Sequence, residues 1–169
     1  MADITHGTWI KDGKAVDSAY QDGVKVYGRN LLIGTGYHTV TGTNVLSNET
    51  TDDLLTLFKG FEGQTVTVSV DYEYSGFVAG SGRNRLGWEI EIEIDADIAS
   101  WWGTWYHPNN DSGSGRMSST FVVPKNIIAI GYASGYIQFH GSGTGALSHL
   151  KLEKGSVATP WTPAPEDVM

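Results

Sequence analysis

The sequence predicts an all-β fold, a two-sheet antiparallel β-sandwich, on three observations. Glycine is abundant, 22 of 169 residues, and six tryptophans with eight tyrosines add residue types that favour strands. Two long segments, residues 65–74 and 86–98, alternate apolar with polar side chains, the signature of a half-buried strand. The other apolar runs are short and separated by Gly, Pro, Asn and Ser clusters, which end strands and form turns.

Taken in order, residues 1–26 are polar and interrupted by Gly7, Gly13 and Gly23. They read either as a linker or hairpin lead-in ahead of a domain spanning 27–169, or as edge strands at 8–10 and 24–27. A first short strand is expected at 31–33, and residues 52–58 suggest one helical turn or a loop. In the strand at 65–74, Val66, Val68, Val70, Tyr72 and Tyr74 share one face, with Asp71 and Glu73 on the other. In the next, Trp88, Ile90, Ile92 and Ile94 oppose Glu89, Glu91, Glu93 and Asp95. After the aromatic segment 101–107 comes a loop at 108–115. Strands follow at 119–123, 127–133, 136–140 and, past a Gly-rich hairpin, 147–153. About eight short antiparallel strands at this spacing are those of a jelly roll.

Composition narrows the function. There is no cysteine, which removes disulfides and thiolate metal sites. A net charge of −8, with only Arg83 and Arg85 close together, argues against a nucleic-acid partner. No apolar run approaches the roughly 20 residues that span a bilayer, and residues 1–10 lack the basic start and apolar stretch of a signal peptide.

Both ends of the predicted domain carry recognisable wording. It opens with Tyr27-Gly28-Arg29-Asn30-Leu31-Leu32 and closes with KLEKGSVATPWTPAPEDV, residues 151–168. The pair, covering the chain from Tyr27 to Asp167, resembles a carbohydrate-binding jelly roll that recurs in tail and baseplate proteins of phages of Gram-positive bacteria such as lactobacilli. The resemblance implies a non-catalytic module of the distal-tail or receptor-binding type. It would be carried in multiple copies on the virion tail tip and bind host cell-wall polysaccharide. It also implies a structural calcium ion near the chain ends, at Glu153 and the carbonyls near Asn30; no D-x-D-x-D loop adds support, and no other cofactor is expected.

A pyranose presents an apolar C–H face and a rim of hydroxyls, so it stacks on exposed aromatic rings while amides, carboxylates, Arg and His bind the rim. Trp101, Trp102, Trp105 and Tyr106 are the candidate stacking residues. Neighbours in a strand point to opposite faces, so Trp101 and Trp102 cannot both enter one core. Arg85, Gln138 and His140 are the candidate rim residues. The acidic positions Glu89, Glu91, Glu93, Asp71 and Glu73 either join them in a groove with Tyr136 or coat a water-facing side.

Two other functions fit the fold. A structural spacer of the tail would lack an exposed aromatic cluster. A small glycoside hydrolase would use the glutamate strand, because laminarinase-type enzymes place nucleophile and acid on alternate positions of one strand. Retaining chemistry asks for carboxyls about 5–5.5 Å apart, and alternate Cα atoms lie roughly 6.5–7 Å apart. That motif has Asp where this strand has Glu91.

Overall fold

The computed structural model describes residues 3–5, 7–36, 40–48, 51–95 and 98–168. Five short strands lead in: β1 (Asp3–Thr5), β2 (Thr8–Lys11), β3 (Lys14–Ala15), β4 (Ser18–Gln21) and β5 (Val24–Gly28). Then come β6 (Val40–Gly42), β7 (Asn44–Asn48), helix α1 (Thr51–Gly60), β8 (Thr65–Val78) and β9 (Asn84–Asp95). The chain continues through β10 (Ile98–Tyr106), β11 (Gly113–Val122), β12 (Ala129–Phe139), β13 (Ser142–Lys154) and a 3-10 turn at Pro165–Asp167. No helix among the described residues is long and apolar enough to cross a membrane.

Two four-stranded antiparallel sheets make the sandwich. The first has the order β10-β9-β12-β7 and the second β11-β8-β13-β6, so the chain crosses repeatedly from one sheet to the other. The expected all-β sandwich is therefore the observed one. Alternation decides what lies between the sheets. Leu86, Trp88, Ile90 and Ile92 of β9, with Ile137 and Phe139 of β12, meet Val66, Val68 and Val70 of β8 and Leu147 and Leu152 of β13. Removing each such side chain from water contributes roughly 1.5–3 kcal/mol. Helix α1 closes one end of the core. Leu54 and Phe58, one turn apart, are buried, and Phe58 stacks on Phe121 at 6.3 Å.

Several elements differ from the expectation. Residues 31–33 are a turn, because the Asn30 side-chain oxygen accepts the Leu32 N–H at 3.1 Å and bends the chain locally. The helix is a full ten residues. The strands expected at 127–133 and 136–140 are one strand, β12, with a bulge between Ile130 and Tyr132. The loop expected at 108–115 is shorter, since Gly113 and Gly115 already pair with Tyr74 and Tyr72 in β11. Of the two readings of residues 1–26, the strands at 8–10 and 24–27 are present, within β2 and β5.

Part of the outer face of the second sheet, around Lys151 and Glu153, is covered by the two ends of the chain. Asn30 is buried and ties the opening motif to the closing one: its Oδ1 accepts the Leu152 N–H at 3.3 Å, and its Nδ2 donates to Thr35 at 2.9 Å. Glu153 is also buried. Its carboxylate accepts hydrogen bonds from Lys25 Nζ at 2.8 Å and the Thr159 N–H at 2.7 Å, with Lys151 Nζ at 3.8 Å. Lys151 in turn donates to Thr159 Oγ1 and the Pro160 carbonyl, both at 2.8 Å. Gly28 lies directly against the Glu153 carboxylate, where a Cβ would overlap it.

This clasp yields two expectations. Glu153→Ala leaves two ammonium groups buried without their counter-charge and should cost about 3–5 kcal/mol in urea unfolding at neutral pH. Burial lowers the Lys151 pKa from 10.5 to about 8, with Glu153 pulling the other way. Between those values the unfolded chain holds one more proton than the folded chain, so this lysine's contribution to stability rises with pH across the window. The difference in unfolding free energy between wild type and Lys151→Met should move toward wild type from about pH 7.5 to about pH 9.5.

Candidate functional site

Strand alternation that buries one side of β9 turns the other side outward, and its neighbours supply matching rows. At one position Trp105 of β10, Gly87 of β9, Tyr136 of β12 and Leu46 of β7 stand side by side. The next outward row is Gly103, Glu89, Ser134 and Asn48. The row after that is Trp101, Glu91 and Tyr132. Two aromatic rows thus flank one small, polar row. Trp101 and Trp105 are 51% and 45% exposed. Four residues apart on one strand, they are spaced about 13 Å along it, more than one sugar ring can bridge.

Each row has its own chemistry. Gly87 leaves a gap between Trp105 and Tyr136 that the Arg85 guanidinium fills, 5.8 Å from the first ring and 4.5 Å from the second. Arg85 is held there by its Nε donating to Gln138 Oε1 at 2.9 Å and by Glu89 at 3.3 Å. Burial beneath it pushes the Tyr136 phenol well above its ordinary range, with Arg85 opposing that shift, so the hydroxyl keeps its proton. In the other aromatic row Trp101 packs on Tyr132 at 5.7 Å. The Glu91 and Glu93 carboxylates reach over Gly131, at the β12 bulge, where a side chain would crowd both. Three carboxylates against one guanidinium leave the face net negative.

Of the seven predicted site residues, Trp101, Trp105, Arg85 and Gln138 come together on this face. His140 follows two residues after Gln138, just past β12; its N–H donates to Asn84 at 3.1 Å and its ring stands over Gly82 at the sheet's end. Trp102 and Tyr106 face the other way. Trp102 stacks on Phe121 at 5.0 Å and Tyr106 on Tyr72 at 4.4 Å, so both pack against the core rather than stand free for a ligand. The acidic set divides as well: Glu89, Glu91 and Glu93 lie on this face, whereas Asp71 and Glu73 lie outward on the opposite sheet. Tyr132 is the residue sequence reasoning missed. Its alternation with Ser134 and Tyr136 is the available signal, and the bulge at Gly131 interrupts it.

Glu153 does not fit a calcium site. Calcium takes six to eight oxygen ligands, and the Glu153 carboxylate instead faces two lysine ammonium groups that would repel a cation. Among the described residues no group of three or more His, Asp or Glu side chains is arranged to hold a metal ion.

No protein-family model matches the chain, and no curated protein matches it. Among solved structures it is similar to the tripod (BppUct-A-L) from the baseplate of bacteriophage Tuc2009, at 20% identity and a TM-score of 0.49. That match covers 83% of this chain and 60% of the tripod chain, so the chain spans less than two thirds of that protein's length. It is also similar to the CBM22-2 xylan-binding domain of Paenibacillus barcinonensis Xyn10C, at 11% identity and a TM-score of 0.40, covering 66% of this chain and 71% of that one.

The opposite orientations of neighbouring tryptophans are directly testable by urea unfolding. Trp102→Ala removes a ring packed on the core and should cost about 3 kcal/mol or more. Trp101→Ala removes an exposed ring and should cost about 1 kcal/mol or less.

Proposed function

We propose that this chain is a non-catalytic carbohydrate-binding module of a phage tail or baseplate protein, adhering to the cell-wall polysaccharide of a Gram-positive host. The observation that carries the reading is the pair of half-exposed tryptophans on the first sheet's outer face, each backed by a tyrosine across the rows. Stacking positions on a rigid sheet suit the C–H faces of successive sugar rings. Glu89, Glu91 and Gln138 between and beside them supply hydroxyl partners. The resemblance of residues 27–32 and 151–168 to the ends of phage tail modules supports the setting.

The charge of the face refines the ligand class. Arg85 is already committed to Glu89 and Gln138, leaving Glu91 and Glu93 to set the sign. A neutral or amino-bearing polysaccharide suits such a face, and a phosphate-rich teichoic polymer is repelled. Affinity at a single open face is modest, and many copies on one particle would raise it through avidity.

The test is a pull-down of the fluorescently tagged protein on intact Gram-positive cells and purified wall polysaccharides. Trp101→Ala and Trp105→Ala should each stay folded and weaken strain-selective binding by roughly tenfold, about 1.4 kcal/mol. Absence of binding to every cell and polysaccharide would sink the reading and leave a structural spacer. The convergence of Glu91 and Glu93 over Gly131 gives the hydrolase reading one supporting observation. Release of soluble sugar from the wall, abolished by Glu91→Gln while binding persists, would put that reading first.

A further inference from the structure

On the opposite side of the sandwich, where the terminal clasp leaves the second sheet uncovered, lies a groove of about 600 Å³. Its walls include Asp71 and Glu73 from β8, Arg116 from β11, Ala146 and His149 from β13, and Gly36. The volume falls within the usual range for small-molecule sites.

The local backbone is built around one side chain. Strand β13 bulges between Ser148 and Lys151, and His149 takes the left-handed conformation, with φ of +55°. A bulge with a non-glycine residue in this region is a device that re-aims a side chain. Here it brings His149 Nδ1 to 2.8 Å from Asp71 Oδ2. The other Asp71 oxygen takes Arg116 Nη1 at 2.7 Å, and the same Nη1 also donates to the His149 carbonyl at 3.1 Å. Arg116 Nη2 donates to Ser69 at 2.8 Å, so both terminal nitrogens of the guanidinium are tied to the fold as scaffold. The Trp161 ring from the C-terminal tail lies 4.5 Å from the imidazole, and its edge packs over Gly36.

We propose that this groove is a second saccharide-binding site, independent of the first sheet's face. The aromatic surface of His149 and Trp161 offers a platform for a ring, and the small Ala146, Ser114 and Gly115 leave space beside it. Asp71 and Glu73 accept from hydroxyls. The ligand class follows from what the groove lacks. Strand β8, which supplies Asp71 and Glu73, is paired on both sides by β11 and β13, so an extended peptide lying over it has no edge there to join. Two carboxylates beside one committed guanidinium disfavour an anion. A neutral, hydroxyl-rich ligand remains. Sites on opposite faces would let one module engage two glycan segments at once.

The probe is the neutral fraction of oligosaccharides released from purified Gram-positive wall polysaccharide, titrated into the isotopically labelled protein by NMR. The indole N–H signals of Trp101 and Trp105 report the first face and that of Trp161 reports the groove, so failure at one is distinguishable from failure at the other. The Trp161 signal should shift with saturation and keep doing so in a Trp101→Ala/Trp105→Ala double variant. Glu73→Gln, at an exposed position, should weaken that response at least fivefold. Ala146→Trp, which fills the floor without removing a polar contact, should abolish it. A Trp161 signal that no fraction moves, or a response unchanged in both groove variants, overturns the proposal.

Discussion

Strand β9 is paired along its length with β10 on one side and β12 on the other, and its inward residues from Leu86 to Ile92 are buried without exception. A slip of one residue would send Trp88 and Ile90 to the surface and drive Arg85, Glu89 and Glu91 into the core. Burying those charges without partners costs several kcal/mol each. The register is therefore set by the core, and the outer rows inherit it. Trp101 must stand opposite Glu91, and Trp105 opposite Gly87, because Trp102 and Thr104 between them are on the buried side. The candidate binding face needs no adjustment of its own to bring its aromatic rows into line.

A second constraint holds the other sheet. The clasp of Lys25, Lys151, Glu153, Thr159 and Asn30 joins segments more than a hundred residues apart in the chain. It puts two ammonium groups around one carboxylate where the sequence resemblance leads one to expect a cation and several oxygens. The electrostatic task is the same, neutralising a buried carboxylate at the meeting of the chain ends, but covalently attached charges do it. Asn30 and Glu153 also belong to the two motifs that carry the family resemblance. Asn30 and Glu153 are structural: they fasten the chain ends, and the two motifs contribute no side chain to the first sheet's outer face. Wording of this kind can mark a module type while saying nothing about its ligand.

The sandwich was legible because β8 and β9 alternate without interruption, and side chains two residues apart must share a face. The opposite orientations of Trp101 and Trp102 followed from the same rule. What the rule could not supply was the choice between them, since that depends on where β10 enters the sheet. Trp102 faces inward because it pairs with Ile90, a contact between distant segments that no local pattern encodes. Separation of Asp71 and Glu73 from the other acidic residues was hidden for the same reason: alternation tells inside from outside, not one sheet from the other. Tyr132 was obscured by a single extra residue at Gly131, which breaks the period and made one strand read as two. The clasp was beyond reach, because a lysine in a polar leader gives no sign of pairing with Glu153.

Arg85 shows how the face divides its labour. Its guanidinium lies between two aromatic rings with its donors turned to Gln138 and Glu89, so it acts as a spacer that fixes the width between Trp105 and Tyr136. Ordering a long side chain is an entropic cost that proteins often meet at the moment of binding. Here the fold has met it beforehand, and the exposed tryptophans likewise stand on strands rather than loops. A surface so prepared gains little from ligand-induced ordering and loses little to it. On the proposed function, affinity would be limited by the small contact area of an open face, and a multivalent particle would suit it, because each contact could form and release while the assembly stays attached.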